Sequence, residues 1–134
     1  MSYVGIVGLP REVKQYLSKV LEDVIKKRYG NAMYASLKSY IEARSNGKTM
    51  IELMLLSPKD LAGMLMDYLG GSEDTTIHFL ESIIRGIYEE LGDIPELDVH
   101  EALRNLMKGS EEGFRNLLLE VAFKLGLKLK KPMF

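Results

Sequence analysis

The 134 residues are 46% hydrophobic and 28% charged, include no cysteine and sum to a formal charge of −1, the composition of one globular domain rather than a disordered chain. Without cysteine there is no thiolate zinc site, iron–sulfur cluster, thiol nucleophile or disulfide. A chain of this length buries about 70% of its unfolded surface, enough for a core without such staples, and a balanced charge gives no general attraction to nucleic acid or an anionic membrane.

At the start, Tyr3 to Leu9 holds two glycines and no basic residue precedes Arg11, so no signal peptide is expected. Gly5 and Gly8 lack the following residues of a phosphate loop. Helix one is expected over 10–28, where Pro10 suits a first turn and Val13, Leu17, Val20, Leu21, Val24 and Ile25 share a face. Gly30 ends it, Asn31 is expected to cap helix two, and Met33, Leu37, Tyr40 and Ile41 form the next stripe until Ser45, Asn46 and Gly47. Thr49 and Glu52 have the spacing of a capping box, opening a short helix through Leu56. This apolar window has seven residues, against about 20 needed to span a bilayer, so no membrane segment is expected and the protein reads as cytoplasmic.

Ser57 and Pro58 announce helix four, with Leu61, Met64, Leu65, Tyr68 and Leu69 on its buried stripe. After Gly70 and Gly71, Ser72 is expected to cap helix five, over 73–91. Ile77, Leu80, Ile84, Ile87 and Leu91 follow alternating spacings of three and four, and Phe79, Ile83 and Tyr88 widen that face. A helix so broadly apolar is central in its fold or covered by another molecule.

The remainder echoes this hairpin. Asp60-Leu61, Met64-Leu65, Tyr68-Leu69 and Gly71-Ser72-Glu73 align without gaps on Asp98-Val99, Ala102-Leu103, Leu106-Met107 and Gly109-Ser110-Glu111. After a four-residue deletion, about one helical turn, Ile83-Ile84 and Ile87-Tyr88 fall on Leu117-Leu118 and Val121-Ala122. The reading is thus an all-α single domain, 1–134, of about seven helices packed as an orthogonal bundle or short array. It comprises an N-terminal segment (1–9), first helices (10–56), a central hairpin (57–92), a C-terminal hairpin (97–126) and a basic tail (127–134). Tyr3 to Val7 and Leu125 to Leu129 also have strand character and would form a minor terminal strand pair.

No catalytic, cofactor or metal site is expected. His78 and His100 belong to no metal-binding motif, and His78 is placed to pair with Glu81-Ser82 one turn on. Asp93, Glu96, Asp98 and Glu101 lack the spacing of a calcium loop. Three groups remain as candidate surfaces. The first is Phe79, Leu80, Ile83, Ile84, Ile87 and Tyr88, as an interaction or core surface. The second is Met50, Met54 and Met64, whose flexible thioethers fill cores or line a ligand pocket. The third is a basic patch of Lys26, Lys27, Arg28, Lys128, Lys130 and Lys131, which no aromatic platform or recognition helix accompanies, speaking against nucleic acid. Charge is segregated: 1–48 sum to +5, 49–112 to −10 and 113–134 to +4, so the ends of one molecule could meet the middle of another.

Tyr29-Gly30, Leu37, Tyr40-Ile41, Ser57-Pro58, Leu61, Leu65 and Tyr68-Leu69-Gly70 lead into Ile77, Leu80, Ile83-Ile84 and Tyr88. Over residues 21–91 this resembles a family of small archaeal all-helical domains of unknown function, the Nitrosopumilus output domain; the Thr49 to Leu56 segment and the C-terminal hairpin depart from its pattern. The resemblance implies a signalling or interaction module with no catalytic residues to carry over. The expectation is a non-enzymatic protein acting through a protein partner or self-association, without cofactor. The alternatives are a sensor of an apolar small molecule in a methionine-lined pocket and a nucleic-acid-associated regulator.

Overall fold

A computed structural model describes residues 11–92, 95 and 98–130, with side chains through 126. Seven α-helices occupy them: α1 Arg11–Tyr29, α2 Asn31–Arg44, α3 Met50–Leu56, α4 Pro58–Tyr68, α5 Glu73–Glu90, α6 Val99–Met107 and α7 Glu112–Lys130. No strand occurs among the described residues. The fold is an all-α helical bundle around one core.

The expected face of α1 is the buried one, Val13, Leu17, Val20, Leu21, Val24 and Ile25 all lying inside. These residues pack α1 on α2, α3, α5 and α7, making it the helix shared by both halves of the chain. Helix α5 buries Phe79, Leu80, Ile83, Ile84, Ile87 and Tyr88 against α1, α4 and α6. The apolar face of α5 is therefore core, and α1 shares its central place.

Local signals set most helix ends. Thr49 and Glu52 form the reciprocal capping box, Ser72 Oγ accepts from the Thr75 amide, and Asp98 accepts from the Glu101 amide. Two caps differ from expectation. Gly30, not Asn31, precedes α2: a single residue closes α1 and opens α2, and its φ of 96° favours glycine. At α4 the Ser57 side chain makes no cap hydrogen bond. Instead Glu111, from the start of α7, accepts the Lys59 amide at 3.0 Å while Arg115 donates to its other oxygen at 2.7 Å and reaches the Leu55 carbonyl of α3. A carboxylate thus caps the positive end of α4 from 52 residues away.

Burial alone pushes the Glu111 carboxyl up, but Arg115 and the Lys59 amide together hold it below its ordinary value. A carboxyl lowered in the folded state stabilises above its unfolded pKa and loses that stabilisation as pH falls through the folded value. Glu111→Gln should accordingly flatten the acid limb of stability measured by urea unfolding across pH. Glu111→Ala should cost about 0.5–2 kcal/mol, and Ser57→Ala much less.

The expected strand at Leu125 to Leu129 is corrected: α7 continues through Lys130 because Leu117, Leu118, Val121, Ala122 and Leu125 prolong a 3.6-residue stripe into the core. Its partner, Tyr3 to Val7, lies outside the described residues, as does the Gly5 to Gly8 segment. Residues 127–130, assigned to a tail, belong to α7. In the two hairpins, Leu61 and Leu65 correspond to Val99 and Leu103, and Ile83, Ile84, Ile87 and Tyr88 to Leu117, Leu118, Val121 and Ala122, and all are buried. The second hairpin's long helix is not shortened: α7 has 19 residues and α5 has 18.

Candidate functional site

The link between α1 and α2 lies beside the link between α4 and α5, and an open groove of about 470 Å³ forms there. Tyr29 comes from the last turn of α1, Met33 from the first turn of α2 and Leu69 from the end of α4. Asp74, Thr75, His78 and Phe79 come from the first two turns of α5. Gly30 and Gly70 immediately follow Tyr29 and Leu69, so each large apolar side chain is delivered by a helix that stops at a glycine with positive φ. The Tyr29 and Phe79 rings meet at 5.0 Å between centroids, tilted by 42°. Phe79 is buried beneath, whereas Tyr29 remains 37% exposed.

Among the described residues, Asp74 is the only aspartate, glutamate, lysine or arginine that lines the groove. It sits in the first turn of α5, at the positive end of the helix. The Thr75 amide is taken by Ser72 Oγ at 3.2 Å, so the helix end has already committed one of its donors. The arrangement offers an apolar floor, one fixed negative charge and the polar groups of Thr75 and His78.

Of the candidate interaction residues on α5, Phe79 alone reaches this groove. Leu80, Ile83, Ile84, Ile87 and Tyr88 are at most 1% exposed, and the Tyr88 hydroxyl donates to Glu120 of α7. Met50 and Met54 are in the core and Met64 is half-buried against it. None of the three lines the groove, which uses Met33 instead. The useful signal in the sequence was a bulky apolar residue directly before a turn glycine, at Tyr29-Gly30 and Leu69-Gly70.

The pairing expected for His78 belongs to His100. His100 Nδ1 lies 3.0 Å from Glu81, whose other oxygen accepts from Arg85, joining α5 to α6. The hydrogen bond with His100, aided by Arg85 and opposed by burial, holds the Glu81 carboxyl below its ordinary value. Burial on the core side fixes this choice: His78 faces the groove, while Glu81 faces α6. Asp98 serves as the α6 cap, and no group of three or more histidine, aspartate or glutamate residues able to hold a metal ion occurs among the described residues. Asp93 and Glu96 lie outside them.

Within the basic patch, Lys26 is bonded to Glu22, and Arg28 donates to Glu89 at 2.7 Å and Ser82 at 3.1 Å. The hydrogen bond from Lys26 holds the Glu22 carboxyl low. Lys27 is exposed. The side chains of Lys128, Lys130 and Lys131 lie outside those described. No helix among the described residues is long and apolar enough to cross a membrane. No known protein family, curated protein or solved structure matches this chain, so the groove stands on its own geometry.

Proposed function

We propose that this chain is a non-enzymatic, cytoplasmic interaction or signalling-output module, and that it associates with a protein partner through the groove of Tyr29, Met33, Leu69 and Phe79. The observation that carries this reading is the open apolar groove with Tyr29 partly exposed above Phe79. Apart from Phe79 at the groove floor, the apolar face of α5, which suggested association in the sequence, is buried within the molecule and is not the contact surface.

Native mass spectrometry of gently purified protein is expected to show a defined protein complex without a retained small molecule. Tyr29→Ser should disperse that complex while leaving helix content by circular dichroism unchanged. A wild-type monomer that instead carries a small molecule would replace this reading with the sensor alternative. That alternative draws support from the groove's volume, which falls within the range of about 300–1,000 Å³ usual for small-molecule sites. It would be lined by Met33 rather than by the three methionines expected. The nucleic-acid alternative gains nothing from Lys26 and Arg28, whose charges are met by Glu22 and Glu89.

A further inference from the structure

We infer that the partner segment seated in this groove presents a lysine or arginine beside an apolar side chain, the cation meeting Asp74 and the apolar group covering Tyr29, Met33 and Leu69. The inference rests on the groove being the docking site, and it names the chemistry of the occupant.

The argument begins with what covering the groove does to Asp74. Its carboxylate has no hydrogen-bond or ion-pair partner among the described residues, unlike those of Glu22, Glu81, Glu89 and Glu111. In the free protein it is exposed to water at the first turn of α5. An apolar occupant would strip that water and leave a charge without a counter-charge, which opposes binding. A ligand carrying its own cation replaces the lost solvation.

Two further features favour a cation. The partly exposed Tyr29 ring presents an electron-rich face, which attracts ammonium and guanidinium groups. Among the described residues no lysine or arginine lines the groove to repel them. An anion is disfavoured because Asp74 already occupies the first turn of α5 and Ser72 takes the Thr75 amide. The open form of the groove, with its apolar lining drawn from several helix ends, suits a side chain projecting from a protein segment better than a wholly enclosed ligand.

The test is a two-dimensional nuclear magnetic resonance titration of the whole chain with four probes. Three share one apolar body: 2-phenylethylamine, 2-phenylethanol and 3-phenylpropanoate. The fourth is the blocked peptide acetyl-Lys-Leu-Phe-Lys-Leu-amide. Shifts are expected at Met33, Thr75 and His78, with the peptide tightest, then the amine, the alcohol and the carboxylate. The amine should bind about tenfold more tightly than the carboxylate, a preference that shrinks at about 0.5 M salt. Asp74→Asn should bring the amine down to the level of the alcohol without moving the alcohol, and Asp74→Glu should keep the preference.

Equal binding of amine and alcohol would overturn the cation while leaving the groove as a docking site. Preference for the carboxylate would overturn it in favour of an anion at the helix end. An amine that binds as tightly as the peptide would overturn the protein segment in favour of a free amine. Failure of all four probes would remove the docking groove itself.

Discussion

Ile84→Ala is expected to lower the free energy of unfolding by about 2–5 kcal/mol, read as a large fall in the urea midpoint. Ile84 has no exposed surface and lies among Ile83, Ile87 and Tyr88, which are equally enclosed. The truncation removes buried methyl and methylene groups and leaves a cavity. Its isoleucine neighbours have restricted χ1 angles and collapse poorly into the space, so the upper half of that range is expected. Lys27→Ala is the matching quiet substitution, since Lys27 is exposed. Glu81→Ala, which its surface position in the sequence recommends as a control, is less silent because Glu81 links His100 to Arg85. Similar midpoints for Ile84→Ala and Lys27→Ala would contradict the placement of α5 in the core.

Gly86→Ala should destabilise the protein even though alanine is the better helix former by about 1 kcal/mol. Gly86 lies in the last third of α5, against Val24 and Arg28 of α1. A methyl group there would come within 2.6 Å of Val24 Cγ1 and 3.0 Å of Arg28 Nε. The Arg28 end can move. Val24 is buried and β-branched, so relief requires either a strained rotamer or separation of two packed helices. Overpacking of this kind typically costs about 1–3 kcal/mol, enough to outweigh the gain in propensity. Val24→Ala creates the missing space. The double variant should therefore be more stable than the sum of the two single effects predicts, by about 0.5–3 kcal/mol of favourable coupling in denaturant titrations. Strict additivity, or a stabilising Gly86→Ala, would show that the two helices do not meet closely at this point.

The features readable without the fold are those whose physics is local. The stripe of α1, the capping box at Thr49 and Glu52, and the Ser72 and Asp98 caps each depend on residues within one or two turns, so sequence spacing specifies them. A five-residue window is less decisive. Leu125 to Leu129 alternates well enough to suggest a strand, and only the continuity of its buried stripe with Leu117 and Val121 makes it helix. Tertiary structure decided the rest, because contacts between distant segments depend on how helix surfaces meet. Glu111 displaces Ser57 as the cap of α4 across 52 residues, and Gly86 is required by a side chain on α1. The groove likewise has no contiguous motif: Tyr29, Met33, Leu69 and Asp74 converge because two helix links lie side by side, and their individual neighbours in sequence predict only ordinary helix ends.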